Sequence, residues 1–464
     1  MRSAALSLLL LLGLPLAATA EQPEPGRRLT IDGLSNFRGI ALLPLPAGRS
    51  VIVFEWASQP GVCNDPACIG LQFIGANGSS DGFARVKAAA LQSVRAATVD
   101  SRGRIVVVGD YQGGASGADF GVVRFNPDGS DDTSFAGDGG TTVDFGLGQA
   151  NNDYVTAVAV DRYDNVVVVG SVQRASVGDT DFGIARLRAA DGGLDTTFSG
   201  DGKAAVFFDL GPATQLDQPN AVAVGNDGRI VIAGLALDSA ISRTRVALAR
   251  LNADGSSDAS FCNSSCNFNG GYTAINNGRR VYYFGTLNAH SDEVYGVDVA
   301  ANNDIVIVGR SFATNGATPQ AAIARFADNG TQTAERLEPG TGGNAGFRDV
   351  RFADASGSRV IAAGQSDTGP NYFLVQAFTA TLAPEASYGG CLTSLSALCL
   401  VGSGGTGDLG PDASGQLHLD AYGRPLFVGT YLSSIDPTRS RVLAQRISNA
   451  TGPLPDRIFR YGFQ

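Results

Sequence analysis

A short phrase recurs seven times along this chain, at intervals of roughly sixty residues, and nothing else in the sequence constrains the fold as tightly. The clearest copy reads VAVDRYDNVVVVG at 158–170, DFGIARL at 181–187 and DGGLDTTFSGDGKAAVFFDLG at 191–211. Apolar and polar residues alternate, and Asp-Asn or Asp-Gly turns interrupt them at short intervals, as in antiparallel strands joined by hairpins. Each copy supplies four strands. The first leads into a β-branched second strand, such as Val166 to Val169, which a glycine ends in six copies: Gly109, Gly170, Gly234, Gly309, Gly364 and Gly429. The third carries Arg or Gln before a large apolar residue, at Gln72, Arg124, Arg186, Arg250, Arg325, Gln376 and Gln445. The fourth is a short outer strand, as at 141–145.

First strands at Leu42, Val99, Val160, Val224, Val299, Phe352 and Leu419 count seven units. Four-stranded sheets repeated radially bury their faces on one another. The expected fold is therefore all-β: a seven-bladed β-propeller of four-stranded antiparallel blades. The chain ends predict how the ring closes. LPDRIFRYGF at 454–463 matches LDTTFSGDG but has no outer strand after it, and RRLTIDGL at 27–34 matches the missing TTVDFGL. The N-terminal strand is expected to complete the last blade and remove an open edge.

Arg2, the apolar run from Leu6 to Leu16 and the small residues Ala18, Thr19 and Ala20 read as a signal peptide over 1–20. What remains, 21–464, reads as a single propeller domain that is secreted or periplasmic. Its net charge is 33 − 44 = −11 once Arg2 is removed, which argues against nucleic acid. No later segment is long and apolar enough to span a membrane, and a monomer is expected. The six cysteines form three close pairs, Cys63/Cys68, Cys262/Cys266 and Cys391/Cys399, expected as disulfides in an exported protein. Zinc would need histidine or a second cysteine pair beside them, and there is neither.

RFNPDGSDDTSFAGDG at 124–139, RLNADGSSDASF at 250–261 and DGRIVIAG at 227–234 resemble the bacterial delta-60 repeat; NGSSDGF at 77–83 matches it in part. The resemblance implies an exported, propeller-like repeat protein and assigns no chemistry.

Several motifs have plain structural readings. NPDGSDD at 126–132 and NADGSSD at 252–258 space oxygens as calcium loops do, but they lack the closing Glu, and Asp-Gly turns explain the same letters. No cofactor is expected beyond that remote calcium reading. GSGGTG at 402–407 fits the dinucleotide glycine pattern without the strand and helix it requires. Arg124, Arg186, Arg250 and Arg325 recur at one position and are expected to brace the blades through aspartates such as Asp119 and Asp181.

The first strands are more informative where they break the repeat. At their beginnings, successive copies present Arg38, Arg95, Thr156, Asn220, Tyr295, Arg348 and Gly415; three positions on they present Ala41, Thr98, Ala159, Ala223, Asp298, Arg351 and His418. Asp153, Asp217, Asp292, Glu293 and Asp298 suggest an acidic arc over the third to fifth units. Arg38, Arg95, Arg348 and Arg351 suggest a basic arc that would hold an anionic ligand, an acidic glycan or protein segment, in a binding or scaffolding module. An internal ion-pair network such as Asp298–Arg351 explains the same charges. The competing enzyme reading makes His418 a base oriented by Asp298 or Asp349, with the arginines stabilising negative charge, in hydrolysis or elimination of a uronic polysaccharide. A third reading displays the insertions at 262–284 and 383–410 to a surface partner.

Overall fold

The structure is a computed structural model. It describes residues 22–448 other than 32–36, 60–62, 77–80, 82–84, 113–116, 148–151, 175–177, 212–214, 263–276, 286–289, 313–318, 339–345, 367–371, 386–398, 402–416, 420–424 and 433–439. The described chain is all-β; its one helical turn is the 3-10 turn Pro46–Gly48.

The strands follow the repeat. After β1 (Gln22–Ile31) come β2 (Phe37–Pro44), β3 (Ser50–Gln59), β4 (Cys63–Ile74), β5 (Arg85–Val99), β6 (Ile105–Gln112), β7 (Ala118–Phe125) and β8 (Gly140–Val143). The next group is β9 (Asp153–Val160), β10 (Val166–Gln173), β11 (Thr180–Leu187) and β12 (Lys203–Val206), followed by β13 (Asp217–Val224), β14 (Ile230–Asp238), β15 (Arg243–Leu251) and β16 (Arg279–Tyr282). Then come β17 (Asp292–Val299), β18 (Ile305–Ser311), β19 (Gln320–Phe326), β20 (Gln332–Glu338), β21 (Gly346–Phe352), β22 (Arg359–Ser366), β23 (Tyr372–Thr379) and β24 (Cys399–Val401). The last three are β25 (Leu417–Leu419), β26 (Pro425–Leu432) and β27 (Ser440–Ser448).

Each group of four pairs in chain order as an antiparallel sheet, from β9–β12 to β21–β24. β5 is long enough to serve two units. Its first half pairs with β4 and its second with β6, across a register shift at Leu91/Ser93, so β2 to β8 form one seven-stranded sheet. β1 pairs with β27, from Arg28 opposite Gln445 to Ile31 opposite Val442, and completes a sheet ordered β1-β27-β26-β25.

The apolar cores lie between sheets rather than within one. One cluster joins Val167, Phe182 and Phe198 to Ile230, Ile232 and Ala249; the next joins Val231, Val246 and Phe261 to Ile305, Ile307 and Phe326. A second strand such as Val166 to Val169 therefore buries both faces completely, which is why it reads as a β-branched run instead of an alternation. The first strands lie against one another in series: β2 on β5, β5 on β9, then β13, β17, β21 and β25, and β25 touches β2. That series carries the residues of interest.

Candidate functional site

The first strands share a defect. In six of them the pairing register skips one residue, so Ile40, Arg95, Thr156, Asn220, Tyr295 and Arg348 each form a β-bulge. Bulges bend a strand and re-aim a side chain. The repeated glycines are their counterpart. A Cβ on Gly109, Gly170, Gly234, Gly309 or Gly364 would overlap the carbonyl oxygen of Ser93, Tyr154, Gln218, Glu293 or Gly346, because the bulge presses the first strand onto the second. In the first unit the glycine has changed strands: Phe54 occupies its place and faces Gly39.

Five of the residues read from sequence as lying where the strands begin are thus bulge residues. Arg38 is not. The register puts Ile40 at the position of Arg95, and Arg38 two residues earlier, opposite Glu55. By the same register Leu43, not Ala41, matches Asp298 and Arg351.

Most of the predicted basic arc is already paired. Arg38 Nη2 lies 2.6 Å from Glu55 Oε2 and also donates to the Val94 carbonyl, and Glu55 accepts the Val94 amide. Arg95 donates to Asp110 Oδ2 at 2.9 and 2.6 Å, although 43% of its side chain stays exposed. Arg351 donates to Asp349 Oδ1 at 2.7 Å. Arg348 differs: among the described residues it has no carboxylate partner and lies over the Tyr295 ring, 4.1 Å from its centre. The Tyr295 hydroxyl donates to Glu293, which also accepts from Arg310 Nε at 2.8 Å. Burial pushes that phenol up to about 12, so it stays a donor. Arg310 was missed in the sequence; its signal was its place directly after Gly309, where Asp110 follows Gly109.

Asp298, Asp349, Arg351 and His418 do come together, on β17, β21 and β25. The carboxylates staple successive strands: Asp298 Oδ2 accepts the Phe352 amide at 2.7 Å, and Asp349 Oδ2 accepts the Leu417 amide at 2.8 Å. Burial raises both carboxyls, and Arg351 opposes it. The direct ion pair is Asp349–Arg351, with Asp298 acting on Arg351 through its charge. Neither carboxylate bonds His418, whose Nε2 has no hydrogen-bond partner. Burial, then the Arg351 charge, pushes the imidazole down to about 3. His418 is neutral throughout the neutral range.

The acidic arc is a different object from the one expected. Asp153, Asp217 and Asp292 are buried at the starts of their strands and accept the amides of Phe145, Phe208 and Phe284, fixing the end of each outer segment. Burial pushes Asp153 up to about 6 and Asp217 to about 7. They hold chain and are sealed from solvent.

The recurring arginines do brace the sheets, through other carboxylates than Asp119 and Asp181. Arg124, Arg186 and Arg250 pair with Asp132, Asp195 and Asp258 at 2.7, 2.8 and 2.7 Å, and Arg325 pairs with Asp304 at 2.7 Å. Asp119 and Asp181 sit five residues before their arginines, roughly 16 Å away along a strand. Each of the first three guanidiniums covers a fully buried ring, Phe135, Phe198 or Phe261, and reaches a carbonyl of the next sheet at Ala189, Ala253 or Asp328. Burial works against ionising Asp132, but bonds from Ser134 and Arg124 outweigh it and hold that carboxyl low.

The calcium-like loops close on themselves. Asp128 Oδ1 accepts the amide and hydroxyl of Ser130, and Asn126 donates to Ser130 and Asp131, as in an Asx turn. None of the described cysteines is free, and Cys68 and Cys262 are both disulfide-bonded. Cys262 takes the left-handed φ (53°) that Ala136 and Ser199 take at the same turn. Cys266 and Cys391, the side chains of Cys63 and Cys399, the GSGGTG motif, Gly415, the 1–20 segment and 454–463 lie outside the described residues. A cavity of about 370 Å³ lies at the opposite, turn end of the sheets, lined by Arg162, Tyr163, Asp195 and Asp254 among others.

Three stretches of the chain, 103–135, 164–198 and 225–261, match a family described as a domain of unknown function (DUF5122) beta-propeller. These are β-propeller repeats. They begin in the turn before a second strand and end on the phenylalanine that the bracket arginine covers. No curated protein sequence matches the chain. Among solved structures it is similar to the α-L-arabinofuranosidase Arb93A from Fusarium graminearum (11% identity, TM-score 0.44, covering 78% of this chain and 98% of that one). It is also similar to YCF48 bound to D1 peptide (10%, 0.42, 92% and 99%) and to the Hadza microbial sialidase Hz136 (10%, 0.42, 82% and 73%). No helix among the described residues is long and apolar enough to cross a membrane.

Proposed function

We propose that this chain is an exported delta-60-type propeller, one domain over 21–464 whose seven blades close into a ring, and that it binds an anionic ligand where the first strands begin. Closure is supported by the pairing of β1 with β27 and by the contact of β25 with β2. Secretion and local pairing of the six cysteines belong to the same reading.

The observation that carries the binding site is Arg348. It is the predicted arginine without a carboxylate partner among the described residues, and its stacking on Tyr295 holds the guanidinium plane in place at little entropic cost. A planar guanidinium offers two parallel donors to a carboxylate, as on a uronic acid or an acidic side chain. Arg95, paired but 43% exposed, is a separate arginine that an extended ligand would reach in this reading. Arg38 and Arg351 act as internal partners of Glu55 and Asp349.

Catalysis is the weaker reading. A base works best when its conjugate acid titrates near the working pH. With its imidazolium near 3, and no carboxylate bonded to orient it, His418 is a poor proton acceptor.

Calorimetric titration with acidic and neutral oligosaccharides tests the proposal. Oligogalacturonate should bind the wild type, and Arg348→Ala should weaken it at least tenfold. Equal binding of a neutral oligosaccharide, or unchanged affinity in Arg348→Ala, would remove Arg348 as the contact.

A further inference from the structure

Where β11 meets the end of the sheet's outer segment, three carboxylates converge. Asp179, Asp181 and Asp209 each place an oxygen within 4.8 Å of the other two. Asp181 is only 2% exposed, and its Oδ1 has no hydrogen-bond partner. The Oδ1 atoms of Asp179 and Asp209 are likewise buried and unbonded. A buried carboxylate oxygen left unpaired is costly, and this cluster holds three of them.

The adjacent sheet meets the same problem with a side chain. The residue five before the bracket arginine is Asp181 in β11 and Arg245 in β15. Arg245 is fully buried, 3.9 Å from Asp238; burial pulls its guanidinium below the usual value, and the Asp238 and Asp292 charges oppose that. Asp292 is the counterpart of Asp217, since each accepts the amide of an outer-segment phenylalanine. One junction therefore has a cation built into the chain. At the other, a carboxylate stands in that place.

Two arginines reach the second junction. Arg174 Nε lies 3.4 Å from Asp181, and Arg279 feels Asp209 and Asp217. Against them stand Asp179, Asp181 and Asp209, with the buried Asp217 beside them, so carboxylates outnumber guanidiniums at this junction. A bound cation would balance that excess.

We propose that Asp179, Asp181 and Asp209 bind a calcium ion that takes the electrostatic place Arg245 fills in the next sheet. The ligands are hard oxygens, as calcium prefers. An ion about 2.4 Å from each leaves any two of them at most about 4.8 Å apart. Water completes the coordination. The ion ties β11 and the loop before it to the outer segment after β12, and so stiffens one junction of the repeat.

The test is a calorimetric calcium titration of the full chain after chelation, with the melting temperature followed in parallel. Wild type should bind calcium and melt several degrees higher at millimolar calcium, reversibly with EGTA, because a ligand of the native state alone raises stability by mass action. Asp209→Asn should fold, since asparagine tolerates the left-handed φ of 49° at this position, and should bind one ion fewer. Asp181→Arg, which copies the neighbouring sheet, should also bind one ion fewer and should melt at the same temperature as calcium-loaded wild type or above it. No calcium heat and no melting shift in the wild type, or an unchanged stoichiometry in Asp209→Asn, would overturn the assignment.

Discussion

Sheets β9–β12 and β13–β16 follow the same plan as sheets β17–β20 and β21–β24, but they treat charge in opposite ways. In the first pair charge repeats with the sequence. Arg186 and Arg250 each meet an aspartate eight or nine residues on, stack on a phenylalanine and reach the next sheet, while the first strands carry small residues at Ala157, Ala159, Ala221 and Ala223. In the second pair the first strands carry Tyr295, Asp298, Arg348, Asp349 and Arg351, of which only Arg348 has a like counterpart, Arg95, in the other described first strands. Charge that repeats with the fold holds the sheets together. Charge that departs from the repeat gathers where the strands bulge, and bulges are where a scaffold aims side chains outward.

That contrast can be broken experimentally, beginning with the repeated bracket. Arg124→Ala removes a fully buried guanidinium, takes the closest cationic partner from Asp132 and uncovers Phe135. Breaking a buried pair by removing one partner typically costs ~3–5 kcal/mol, so chemical denaturation should show a loss of that size. A loss below about 1 kcal/mol would mean the brackets carry little of the stability. Gly170→Ala forces a methyl group into the carbonyl oxygen of Tyr154 and should cost ~2–3 kcal/mol by the same measurement. A neutral result there would detach the repeated glycines from the bulges.

His418 sharpens the comparison through pH. Its folded-state value, about 3, lies below the unfolded value near 6.5, so the unfolded chain takes up the proton first as pH falls. This group's contribution is complete above pH ~6.5 and is lost progressively toward pH ~3. For a half-buried imidazole the loss is ~1–3 kcal/mol, and His418→Gln should flatten the stability profile across that window. An unchanged profile would mean the imidazole titrates normally in the fold. The smallest effect on stability is expected from Arg348→Ala, within about 0.5 kcal/mol of wild type, because no carboxylate is left behind. A loss approaching that of Arg124→Ala would make Arg348 one more brace.

The sequence shows strand number, repeat length and the pairing of the N-terminal strand with the last ones plainly, because period-two alternation and Asp-Gly turns are local signals. The bulges leave no such signal, since one extra residue in a strand does not disturb its composition. Their trace is the glycine on the facing strand. In the first unit even that trace moves, to Gly39 opposite Phe54, and this is why Arg38 reads as an equivalent of Arg95 when Ile40 is. The partners of the arginines were hidden for a related reason. Glu55 and Asp110 lie across the hairpin, 17 and 15 residues away from Arg38 and Arg95, and only the register of pairing brings them opposite. The inner carboxylates were legible as residues that break the repeat. Their role as acceptors for the Phe352 and Leu417 amides was not, because a backbone amide carries no letter in the sequence.

The most direct test of the account is hydrogen–deuterium exchange with and without an acidic oligosaccharide. The account predicts slowed exchange concentrated in Asp292–Val299 and Gly346–Phe352, the strands of Tyr295 and Arg348, with the turns at 161–165 and 225–229 unchanged. Protection confined to those turns, or none anywhere at saturating ligand, would contradict it and place any binding surface on the repeating part of the molecule.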